Sequence, residues 1–425
     1  MSLFLAQCVD LILQIIDPPE EFSGYVDRLA YSPGDTLRAY FSTDVTYDIA
    51  RIRLYDLSGT PVDSIDAPLS SQIISNAQPW SQGLGYELTF RYRVPDLPSG
   101  IYLWEQTVPI VIRDHDGQLP IKVLYPSNTA AAYNNDGGKS LYPGNSTDQE
   151  SADSLSFHRR VPLDPPALDC LMLFANQWNL EMGYLIDQDM DDFSNLEGAQ
   201  LLIIIGHSEY WTRSARENFD KFVDAGGHAL ILSGNTMWWQ VRYSSDGTRL
   251  IAFKTAPVDD IADPLLATIL WNDPQLQYPI MPSIGVDFTH GGYGIRYEDA
   301  GWDGMKIIRP SAPYLDNTGL IAGDIISLPS SEYDGTEIAG FDSSGFPYPD
   351  SAALGFSSIE IIGFDYGFRI KQTVGTWIQF QKSESSGIII NTGTTDWCSD
   401  KGVGGLHGEL LGEITFNMIN YLLAN

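Results

Sequence analysis

Basic residues are scarce in this chain of 425 residues: 24 Lys and Arg stand against 55 Asp and Glu, a formal net charge of −31 at pH 7. A surface of that sign repels nucleic-acid phosphates and anionic membranes, so neither is an expected partner. Solubility or a salty habitat accounts for the acidity more simply than a basic partner does. Cysteine is scarce too. Cys8, Cys170 and Cys398 are odd in number, far apart and in no CxxC arrangement. Neither a disulfide framework nor a zinc site is expected from them, and a reducing, cytoplasmic setting is the simplest reading. No apolar run is long enough to span a bilayer. The opening MSLFLAQCVDLILQII contains Asp10, lacks a basic flank, and reads as a short amphipathic segment. Repeats and low-complexity stretches are absent, and the sequon Asn145-Ser146-Thr147 means little without a signal peptide.

What is present is core material. Hydrophobic residues make up 43% and aromatics 12%, which fits strands and lined pockets, and the length suits two domains. Between Tyr25 and Ile112 the chain alternates with period two at Leu37–Ser42, Ile49–Tyr55 and Glu87–Val94, and Gly100–Trp104 follows a Pro-Ser-Gly turn. This predicts an immunoglobulin-like β-sandwich over residues 20–113. Residues 114–425 predict an α/β domain with a strand-rich, unassigned insertion around 240–385. Its markers are a short run at Ile121–Tyr125, a helix over 166–182, a strand at Tyr184–Ile186, and an apolar run at 200–205. A helix from Arg213 to Ala225 follows, with Thr212 as N-cap and a Gly226-Gly227 stop, then a strand at 229–232. A last strand at 387–391 and a helix from about Gly408 to Leu423 close the chain. The run at 200–205 is apolar throughout, as an interior parallel strand is.

Ligands of open parallel sheets bind at the carboxyl ends of the strands. Three such ends carry reactive residues: Pro126–Asn135, Gly206–Trp211 and Ser233–Gln240. Gly206-His207-Ser208-Glu209-Tyr210 offers a base, a hydroxyl and a carboxylate within four residues. Ser208 is a candidate nucleophile, although Tyr210 stands where the nucleophile-elbow pattern needs glycine. Alternatively, His207 serves as acid/base and Glu209 as a metal ligand, or the segment merely caps the next helix. Tyr102 and Tyr133, taken alone, read as packing aromatics.

Four motifs occur in order: Ser99-Gly100-x-Tyr102, Pro126-Ser127-Asn128-Thr129-x3-Tyr133-Asn134, Gly206-His207-x-Glu209-Tyr210-Trp211, and Gly234-Asn235-Thr236-x-Trp238-Trp239-Gln240-Val241-Arg242. Together they resemble the large subunit of N,N-dimethylformamidase and its relatives. The resemblance implies a glutamine-amidotransferase-like (flavodoxin-like) α/β domain beside the sandwich and hydrolysis of the C–N bond of a small linear amide. It also implies a mononuclear iron, Fe(III), held by Tyr102, Tyr133 and Glu209, with His207 as a catalytic group beside it. A second acid of the family is matched here by Gly340-Phe341-Asp342, with Asp in place of Glu. Two phenolates and a carboxylate carry three negative charges, which suits a trivalent hard cation better than zinc. The resemblance leaves a homo-oligomer and a small partner subunit open. The competing readings are a non-catalytic binding protein, for carbohydrate, using Trp238-Trp239 and Tyr210-Trp211, and a serine hydrolase using Ser208.

Overall fold

The computed structural model describes residues 21–115, 117–177, 180–254, 259–294 and 301–425. The amphipathic segment expected at the start of the chain lies outside them. Two compact units divide the chain. One runs to residue 115 and adds 130–163 and 243–255; the other comprises 116–129, 164–242 and 256–425.

The first unit is built on alternation. Leu37, Ala39 and Phe41 of the strand Thr36–Thr43 point inward, as do Ala50, Ile52 and Leu54 of Tyr47–Asp56. A three-stranded sheet (Phe22–Val26, Thr36–Thr43, Phe90–Arg93) and a five-stranded sheet (Ala30–Tyr31, Val108–Ile112, Gly100–Trp104, Tyr47–Asp56, Pro61–Leu69) share one apolar cluster. Trp104 is fully buried there and meets Tyr92 and Phe90 edge-on at 4.9 and 5.5 Å. The segment 243–255 joins this unit through Arg249–Ile251, which pairs antiparallel with Ser154–Ser156.

The second unit carries the apolar runs. Met182–Ile186, Ile121–Tyr125, Leu201–Gly206, His228–Ser233 and Ile388–Asn391 lie side by side in that order, all parallel. Leu201–Gly206 is an interior strand, hydrogen-bonded on both sides and buried along its whole length, as its composition predicts. The helix Arg213–Asp224 buries Ala215, Phe219, Phe222 and Val223, and the Thr212 side chain accepts from the Ala215 N–H as an N-cap. The expected helix over 166–182 is shorter: it spans Pro165–Gln177, and Met182 opens a strand because it pairs with Ile121. The unassigned stretch contributes a long antiparallel hairpin, Ser358–Phe368 with Gln372–Gln381, that extends the parallel strands. Gly292–Tyr293 and Glu332–Gly335 continue the same sheet beyond it.

Cysteine overturns its sequence reading. Cys170, in the helix Pro165–Gln177, forms a disulfide with Cys398, 228 residues away and just past the strand Ile388–Asn391. Spacing along the chain carried no sign of a pairing that folding alone creates. Among the described residues no helix is long and apolar enough to cross a membrane.

Candidate active site

Leu201–Gly206 ends in a turn that only glycine suits. Gly206 has φ +72°, and a Cβ there would lie 2.9 Å from the Ala167 Cβ. The next residues are fixed by their backbones. The Asp164 carboxyl accepts the His207 N–H. The Ser208 N–H reaches Ser233 Oγ at 3.1 Å, and the Glu209 N–H reaches Thr129 Oγ1 at 3.0 Å. Tyr210–Trp211 then pairs in parallel with Trp239–Gln240, so two of the reactive strand ends are zipped together. The third joins them through Asn128, whose amide donates to the Tyr210 carbonyl at 3.0 Å.

This backbone brings together three titratable side chains. His207 Nε2 lies 3.4 Å from Glu209 Oε2 and 3.6 Å from Glu332 Oε2. His207 is 9% exposed and Glu209 2%, so both act in a water-poor setting where charge interactions are strong. Asn235 Nδ2 donates to the same Glu332 oxygen at 3.0 Å. The Glu332 N–H meets Thr395 Oγ1 at 3.3 Å, and its carbonyl accepts the Thr395 N–H at 3.2 Å. Behind His207, burial pushes the Asp164 carboxyl up to about 7.

Glu332 is the residue that sequence reasoning missed. Its signal was an acidic pair two apart, Glu332 and Asp334, in a stretch with no clear period. The second acid was expected at Asp342 instead. That carboxylate sits exposed in a hairpin turn, accepting the Ser344 and Phe346 N–H groups at 2.8 and 2.9 Å. It closes its own turn, and the acid beside His207 is Glu332.

Ser208 has a packing role. Its buried hydroxyl accepts the Trp211 indole N–H at 3.0 Å, and the segment does not form a nucleophile elbow. The aromatics proposed as a sugar platform are core residues: Trp211 and Trp238 belong to the large apolar cluster, with Trp239 packed against it, and Tyr210 is fully buried.

A model of the family described as N,N-dimethylformamidase beta subunit-like, C-terminal, matches residues 46–401. The chain belongs to this family. No curated protein matches it. Among solved structures, the chain is similar to a thua-like protein from Bacteroides uniformis ATCC 8492, at 10% identity and a TM-score of 0.35, over 72% of this chain and 91% of that one.

Of the three iron donors that membership suggests, Glu209 fits, being a buried hard carboxylate beside an imidazole. Tyr133 ends the helix Ser127–Tyr133, is 36% exposed, and packs its ring 4.3 Å from that of Tyr142. Tyr102 does not fit. Its hydroxyl donates to the Pro98 carbonyl at 2.8 Å, and its ring is buried in the sandwich core. Burial pushes the phenol up to about 12. A tyrosine tied back to the chain a few residues upstream is a fastening of sandwich domains. Among the described residues, no three His, Cys, Asp or Glu side chains form a metal cage either.

Proposed function

We propose that this protein hydrolyses the C–N bond of a small linear amide, with His207, Glu209 and Glu332 as the reacting cluster. The observation that carries this reading is the placement of one buried imidazole within 3.6 Å of two carboxylates at the end of an interior parallel strand. We read the two units as an immunoglobulin-like sandwich and a glutamine-amidotransferase-like domain, as the motifs imply.

The chemistry follows from what each group can hold. Amide hydrolysis needs a base to take a proton from the attacking water and an acid to protonate the departing nitrogen. Glu332, oriented by Asn235, accepts the water proton as the oxygen bonds to the carbonyl carbon. His207 protonates the amine nitrogen as the C–N bond breaks, giving a carboxylic acid and an amine. Glu332 returns its proton to His207, and the cluster is restored. Glu209 would hold the iron, whose chemistry when bound is to polarise the amide carbonyl as a Lewis acid. With Tyr102 committed to Pro98, no step is assigned to that residue.

Amine release from formamide, acetamide and N,N-dimethylformamide tests the assignment. His207→Ala and Glu332→Gln should each lower it about 100-fold. Ser208→Ala should stay within about threefold, since its hydroxyl only receives an indole N–H worth about 1 kcal/mol. Loss of activity in the serine variant, with the other two active, would transfer the chemistry to Ser208.

A further inference from the structure

Glu332 reaches His207 only if something holds it there, and the structure traces that support one residue deeper. Asp334 lies two residues beyond Glu332 on the strand Glu332–Gly335, so the two side chains leave the strand on the same face. It is completely buried. Its Oδ2 accepts the Thr236 N–H at 3.1 Å, in the middle of the turn Gly234–Met237. That turn is strained. Asn235 and Met237 both take left-handed conformations, at φ +49° and +56°. A Cβ on Gly234 would come within 2.5 Å of the Thr395 nitrogen, so the turn is also pressed against the loop that holds Glu332. The product of this strain is the position of Asn235, whose amide grips Glu332.

We propose that Asp334 is a positioning residue that acts through the Gly234–Met237 turn, anchoring it so that Asn235 fixes Glu332 against His207. The inference rests on the function proposed above. Burial, opposed by the hydrogen bond from Thr236, raises the Asp334 carboxyl well above its ordinary range.

Four variants in the full-length, iron-loaded protein test the proposal. Asp334→Asn keeps an oxygen for Thr236 and carries no charge, so its kcat for amide hydrolysis should stay within about threefold of the parent. Asp334→Ala removes the anchor; its kcat should fall about 10- to 100-fold with KM within about threefold. Because the effect passes through Asn235, adding Asn235→Ala to Asp334→Ala should cost no more than Asn235→Ala alone. Parental kcat in Asp334→Ala, or full additivity of the two losses, overturns the proposal. Should Asp334→Ala fail to fold, a tenfold or greater loss in Asp334→Asn does the same. If the parent releases no amine at all, the functional reading fails separately. The inference is then decided by a crystal structure of Asp334→Ala or Asp334→Asn. The alanine should release the turn and break the Asn235–Glu332 bond, and the asparagine should keep both; the opposite in either overturns it.

Discussion

Tyr102 illustrates how one side chain can satisfy a motif and still serve another purpose. The Ser-Gly-x-Tyr pattern points to a metal donor, yet the local chemistry of a buried phenol bonded to a carbonyl four residues upstream is that of a structural fastening. Tyr102→Phe removes that hydrogen bond and orphans little else, so it should lower unfolding free energy by about 1–2 kcal/mol in a denaturant titration. The iron content of the protein should not change. A variant of parental stability that has lost its iron would restore the ligand role. His207 and Glu209 were legible because a turn after an apolar strand exposes its residues to chemistry in any open parallel sheet. Glu332 was not legible, because its four-residue strand joins the sheet through a non-local pairing with Gly292–Tyr293 that no local period announces.

At the scale of elements, the sequence spoke most clearly where one period held. The runs Leu201–Gly206 and His228–Ser233, and the amphipathic helix between them, stand as read. The hairpin Ser358–Gln381 was hidden because its strands are bulged and interrupted by glycine, which blurs a period of two. The disulfide is an element-scale feature as well, since it ties the helix Pro165–Gln177 to the segment after Ile388–Asn391. The first of these elements follows Asp164, which holds His207, and the second follows Thr395, which holds Glu332. Closing so long a loop restricts the unfolded chain, so the paired Cys170→Ser/Cys398→Ser variant should lose about 2–5 kcal/mol of stability. Non-reducing peptide mapping should recover the two cysteines linked. A thermal midpoint that dithiothreitol does not move, under conditions where reduction is verified, would show that the pairing does not support the fold.

For the molecule as a whole, composition carries an expectation about partners and says nothing of where the site lies. The charge of −31 describes the surface, while the proposed chemistry rests on a handful of side chains drawn from four separate stretches of sequence. Those stretches, around Asp164, His207, Asn235 and Glu332, meet because the parallel strands end on one side of the sheet and the later hairpin brings Glu332–Gly335 back to them. Family membership is the ground on which we propose amide hydrolysis, with iron, at this cluster. The most direct test is the iron retained after reconstitution with Fe(III) and dialysis, measured in the parent and in Glu209→Gln. The account predicts about one iron per chain in the parent and less than about a tenth of that in the variant, because the variant loses its buried anionic donor. A parent that retains no iron, or a variant that retains as much as the parent, would contradict it.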